Sequence, residues 1–283
     1  MKLMKKTLSL VLCLIMAFSC FSTALAADVS EEGWNELWTN YETEIAPAVT
    51  MFAGSDESER YIAWYSDTDS GYVELKDGKD TKTFEASAVA SPDGGYRLGA
   101  VITGLEAGEY SYICHSGDFA SDSFKFTVDK TDTVTALYVS DVHMAIEEYN
   151  ENALAERSFI YNQTLEAANK NAVDGLDIIV SGGDQASEGL TEELIALSSP
   201  EIMKTIPFAP AVGNHDRKSV GYKYYTFLPN QADLTFKSYI GTDYWVRYGN
   251  ALFLVFDSCN TSMRGHYKFV KAATEANEDA TWV

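Results

Sequence analysis

Basic residues are in short supply: 21 Lys and Arg stand against 42 Asp and Glu, a formal net charge of −21. So acidic a chain argues against nucleic-acid backbones and anionic membranes as partners. Cysteine is scarcer still. Of the four in 283 residues, Cys13 and Cys20 fall near the start. Cys114 and Cys259 stand alone, with no zinc spacing and no basis for a disulfide framework. Histidine is as rare, with only His115, His143, His215 and His266. No internal repeat and no low-complexity tract breaks the chain into modules of that kind.

What is present begins with a leader pattern. Lys2, Lys5 and Lys6 precede an apolar run, Leu8 to Phe21, and Ala24-Leu25-Ala26 supplies small residues for cleavage after Ala26. The run is short for a membrane anchor and no basic stop follows it, so stable insertion is not expected. Residues 1–26 therefore predict a signal peptide and a secreted or extracytoplasmic protein. Its removal takes three lysines and no acids, leaving a net charge of −24.

Over residues 27–45, Trp34, Leu37, Trp38, Tyr41 and Ile45 recur at three- and four-residue steps behind Ser30, a candidate N-cap, which predicts an amphipathic helix. Residues 46–130 carry no helical period. Short runs rich in aromatic and β-branched residues (Tyr61 to Tyr65, Tyr72 to Leu75, Tyr96 to Ile102, Tyr110 to Cys114, Phe124 to Val128) are separated by turn clusters such as Asp77-Gly78. About seven strands at that spacing predict an all-β sandwich, with Trp64 in its core. Nothing titratable clusters there, and His115 stands apart.

From residue 131 the pattern becomes alternating strand and helix, the signature of βαβ units. Val134 to Val139 reads as a strand. Leu154, Ser158, Tyr161, Leu165, Ala168 and Ala172 mark one helical face that Gly175 would cap. Leu176 to Val180 and Ile206 to Val212 read as strands, with a helix from Thr191 to Leu197 between them. Asp243 to Tyr248 and Ala251 to Phe256 flank the turn Gly249-Asn250 as a hairpin. Tyr267 to Asn277 reads as a helix, and Ala280 to Val283 as a strand just begun.

The chemistry gathers where three of these strands end: Tyr138-Val-Ser-Asp141-Val-His143, Val180-Ser-Gly-Gly-Asp184-Gln185 and Ala211-Val-Gly-Asn214-His215-Asp216. An open α/β sheet collects functional groups at the carboxyl ends of its strands. Asp, His and Asn with almost nothing cationic among them suit hard or borderline divalent ions. Asp141 and His143, two residues apart, can reach one ion. Asp184, after two glycines, has two oxygens with which to bridge a pair, and Asn214 adds a neutral oxygen. His215 with Asp216 would form an imidazole–carboxylate pair able to touch a phosphoryl oxygen or protonate a leaving alkoxide.

Asp141-x-His143, Gly183-Asp184 and Gly213-Asn214-His215-Asp216 resemble the first three signatures of the calcineurin-like metallophosphoesterases. The Gly104-Leu105-Glu-Ala-Gly108-Glu-Tyr110 stretch is similar to the fibronectin type III-like N-terminal module of purple acid phosphatases. The resemblance covers residues 46–283. It implies a sandwich followed by a four-layer α/β/β/α catalytic domain over 131–283, and a centre of two divalent ions (Mn, Fe or Zn). On it, Asp141 and His143 bind the first ion, Asp184 bridges, Asn214 binds the second, and His215, backed by Asp216, contacts the substrate.

The implied activity is hydrolysis of small phosphate monoesters by metal-activated hydroxide. Competing readings are a nucleotidase or phosphodiesterase with the same centre, or a non-catalytic secreted surface-binding protein. Where purple acid phosphatases have an iron-binding tyrosine, three residues after the bridging aspartate, this chain has Ser187, so no purple chromophore is expected. The family's later histidine and Gly-His-x-His motif have no counterpart here. Arg264-Gly265-His266-Tyr267 lacks the second histidine and is read as a non-ligand. The expectation is a catalytic domain incomplete at its C-terminus, with weak metal binding and poor turnover by itself.

Overall fold

The computed structural model describes residues 48–78, 80–92, 94–130, 133–146, 152–232 and 240–283. The leader and the helix expected over 27–45 lie outside the described residues.

The first eight strands are β1 (Thr50–Ala53), β2 (Arg60–Ser66), β3 (Tyr72–Asp77), β4 (Asp80–Ala90), β5 (Tyr96–Ile102), β6 (Gly108–Ser116), β7 (Phe119–Ala120) and β8 (Phe124–Val128). Strict alternation sets their inward faces: Phe124, Phe126 and Val128 are buried while Lys125 and Thr127 are exposed. Side chains from β3, β6 and β8 (Val73, Leu75, Tyr110, Tyr112, Cys114, Phe126) meet Met51, Ile62, Trp64, Leu98 and Ile102 in one core. Trp64, 1% exposed, lies in it as expected. Tyr110 turns its hydroxyl back on the Glu106 peptide, accepting from its N–H and donating to its carbonyl, both at 3.1 Å. Three strands went unread. β4 is nearly all exposed, so it lacks an apolar period, while β1 has only four residues and β7 two. Yet β4 joins the layers: residues 80–85 pair with β3 and residues 86–90 with β5.

The remaining elements are β9 (Ala136–Val139), α1 (Ala153–Asn171), β10 (Ile178–Ser181), α2 (Thr191–Ser198), β11 (Phe208–Pro210), α3 (Gly221–Tyr225), β12 (Tyr244–Tyr248), β13 (Ala251–Val255) and α4 (Met263–Ala276). α1 buries Ser158, Tyr161, Leu165 and Ala168, the stripe read from the sequence, and ends at Asn171. Gly175 is not its cap. It forms, with Asp174, a left-handed turn (φ 86° and 63°) that feeds β10. α4 begins four residues before the expected start, because the Ser262 hydroxyl accepts from Gly265 N–H at its N-terminus. β12 and β13 form the expected hairpin as a separate two-stranded sheet. Trp282 makes a parallel bridge to Ala251 beside it.

β9, β10 and β11 are parallel neighbours, and β1 pairs parallel with β11 through Phe52 and Phe208. The large sheet therefore runs unbroken from the sandwich into the α/β region, in the order β7-β6-β3-β4-β5-β2-β1-β11-β10-β9. Alternate residues of β1 and β2 serve two cores. Met51, Ile62 and Trp64 face the sandwich. Phe52, Ala63, Tyr61 and Tyr65 pack with Leu165, Leu194, Leu197 and Phe208 on the other side. Among the described residues no helix is long and apolar enough to cross a membrane.

Candidate metal centre

Because β9, β10 and β11 are parallel, the segments that follow them leave the same edge of the sheet. The first two stay zipped beyond the strands. Asp141 N–H donates to Gly183 O at 3.0 Å, His143 N–H to Asp184 O at 3.0 Å, Met144 N–H to Gln185 O at 2.9 Å, and Ser187 N–H to Met144 O at 2.8 Å. The second and third are stitched by Gln185, whose side-chain amide donates to Ser181 Oγ at 2.8 Å and Ala211 O at 2.9 Å. They also touch backbone to backbone. A Cβ on Gly183 would come within 2.9 Å of Gly213 Cα, and one on Gly213 would collide with the Asp184 carboxylate and amide. The glycine before Asp184 thus makes room for the neighbouring loop.

Asp141, His143 and Asp184 all have left-handed backbone, with φ of 58°, 50° and 53°. Side chains rarely tolerate this conformation, and such strain concentrates at functional sites. Here it brings the His143 ring beside the Asp184 carboxylate, with Asp141 next to His143. Ligand atoms of His143, Asp184 and His215 all lie within 4.8 Å of one another. His143 Nε2 is 3.9 Å from Asp184 Oδ2 and 3.8 Å from Asp141 Oδ1, and the two imidazoles meet edge to face at 4.6 Å. Asp184 is nearly buried, and its Oδ1 accepts the His215 backbone N–H at 2.8 Å. Asp141 is largely exposed and contacts the Ser140 hydroxyl. Asn214, on the exposed rim between Gly213 and His215, is next to this group in the chain.

Asp216 does something other than expected. It is fully buried, and its carboxylate accepts from Gly213 N–H at 2.9 Å and Ala186 N–H at 3.0 Å. The His215 ring rests on a carbonyl instead, with Nδ1 2.8 Å from Ser187 O. The pairing of Asp216 with the imidazole expected from the sequence is therefore corrected: the two adjacent side chains take different partners. Burial pushes the Asp216 carboxyl up to about 6, against the pull of its amide donors and with a further push from Asp184.

Sequence reasoning also passed over the contacts around Ser187. Its hydroxyl is 3.4 Å from His143 Nδ1, and Lys218 Nζ donates to its carbonyl at 2.8 Å and to Glu188 Oε1 at 2.6 Å. Buried Glu193 fixes the adjoining turn by accepting from Glu188 and Leu190 N–H at 3.0 and 3.1 Å. His266, read as a non-ligand, hydrogen-bonds Asp243 and the Asn260 carbonyl.

Two imidazoles and a nearly buried carboxylate, with a second carboxylate at hand, form a donor set of borderline character that fits a divalent ion. With Nδ1 of His215 engaged by the Ser187 carbonyl, Nε2 is the ring nitrogen left for an ion or a substrate atom.

Comparison with known proteins gives three findings. A family model described as calcineurin-like phosphoesterase matches residues 134–282. No curated protein matches the chain. A solved structure described as "Structure of PhoD" shares 12% identity with it at a TM-score of 0.48, over 76% of this chain and 51% of that one. The chain thus spans about half the length of that protein.

Proposed function

The chain belongs to the calcineurin-like phosphoesterase family, and from that premise we propose that it is a metal-dependent phosphoesterase acting on small phosphate monoesters outside the cytoplasm. The observation that carries this is the meeting of His143, Asp184 and His215 from three separate strand ends, with Asp141 3.8 Å from His143. Asp141, His143, Asp184 and Asn214 would hold a pair of divalent ions (Mn, Fe or Zn). Such ions supply positive charge against the phosphoryl oxygens and lower the pKa of a bound water.

The chain's own residues do the rest. Asp184 keeps Oδ2 toward His143 while Oδ1 fixes the His215 backbone, so one carboxylate ties two of the loops to the centre. His215 stands with Nδ1 on a carbonyl, which leaves Nε2 to meet a phosphoryl oxygen or a departing alkoxide. The leader-like residues 1–26 support export, and the acidic surface supports a small substrate over a polyanion.

The test is Mn(II)-dependent release of nitrophenol from a nitrophenyl phosphate monoester against a bis-nitrophenyl diester. Slow monoester cleavage that is stopped by chelation and restored by Mn(II) is the expected result. Preference for the diester would reassign the substrate class. Rates indifferent to chelation would overturn the proposal.

A further inference from the structure

Ser187, which stands where purple acid phosphatases have a tyrosine, touches both imidazoles of the centre. The zipped segments explain how. Ser187 N–H bonds Met144 O, which sets the serine beside the His143 turn and leaves its hydroxyl 3.4 Å from His143 Nδ1. Its carbonyl faces the third loop and meets His215 Nδ1 at 2.8 Å. Glu193 clamps the next residues of the turn from behind.

We propose that Ser187 is a positioning residue for both imidazoles, its hydroxyl setting His143 and its carbonyl setting His215. Each ring thereby has its Nδ1 engaged and its Nε2 left for the space beside Asp184. The two halves differ in kind. A carbonyl can only accept, so it requires the proton of neutral His215 on Nδ1. A hydroxyl can accept or donate, so its hold on His143 adapts, and it fixes the ligating tautomer when it accepts. Outer partners of this sort commonly change metal affinity by about 10- to 100-fold when removed. This inference rests on the metal reading above, but its test does not depend on turnover.

The test uses the full chain and two variants. Ser187→Ala removes the hydroxyl and keeps the carbonyl, while Ser187→Thr keeps both. Ring-nitrogen NMR shifts of the metal-free proteins report each tautomer, and Co(II) titration reports affinity. The expected result is a shifted tautomer balance at His143 alone in Ser187→Ala, an unchanged Nδ1–H at His215, and Co(II) affinity lower by about tenfold. Ser187→Thr should restore both readouts. An unmoved His143 tautomer in Ser187→Ala, or loss of affinity in both variants alike, would overturn the role of Ser187. If the unaltered chain bound no Co(II), the metal reading would fall, and the NMR pattern would still decide the role of Ser187.

Discussion

At the scale of single residues, the outcome at the centre depends on which atom of a residue is used. Asp216 was expected to serve through His215, but its two oxygens instead fasten the second loop at Ala186 and the third at Gly213. Asp216→Asn leaves one oxygen for two amide donors and points an NH₂ at the other. An unpaired buried N–H costs about 1–3 kcal/mol. The variant should melt earlier and bind Mn(II) more weakly, as followed by thermal denaturation and metal titration. An Asn variant with unchanged melting and affinity would return Asp216 to the catalytic role read from the sequence. The meeting of His143, Asp184 and His215, with Asp141 beside His143, was legible because small residues and oxygen or nitrogen donors followed apolar runs three times over. The role of Ser187 was not, since half of it is carried by a carbonyl that every residue possesses.

At the scale of elements, α4 shows how a histidine outside the centre can matter. His266 Nδ1 lies 2.6 Å from Asp243 Oδ2 and Nε2 lies 2.7 Å from Asn260 O. With Asp243 ionised both partners accept, an arrangement that favours the doubly protonated ring and ties α4 to the hairpin. Its pKa is raised, by the Asn260 carbonyl first, then against burial by the Asp243 and Asp257 carboxylates. Arg217 in turn offsets Asp257. A histidine whose folded pKa lies above its unfolded value, about 6.5, contributes stability in full below that value and loses it as pH rises through the folded one. His266→Gln should therefore be less stable than the parent below about pH 6.5, by about 1 kcal/mol once solvent screening of a ring near the surface is counted. The gap should narrow as the pH is raised. Urea denaturation across pH checks this, and a gap constant with pH would remove the imidazolium from the account. The same helix shows where sequence reading loses ends. The helix was visible from Tyr267, but its true start depends on the Ser262 hydroxyl meeting Gly265, a local cap without apolar period.

At the scale of the molecule, the sandwich and the α/β region share one sheet through β1 and β11. The side chains on opposite faces of β1 and β2 belong to different cores. Two pattern changes in the chain predicted two regions correctly in kind, yet a four-residue strand with one register pair to β11 left no trace of their continuity. That continuity gives the centre its floor, because β11 is held on one side by β1 and on the other by β10. The central claim remains that donors from the three loops above β9, β10 and β11 meet around divalent ions. Titration of Mn(II) or Co(II) into the chain and into Asp184→Ala tests it most directly. The account predicts saturable binding that the substitution weakens by about 100-fold or more, the scale of about 2.7 kcal/mol or more of lost ligation. Equal binding by both proteins would contradict it.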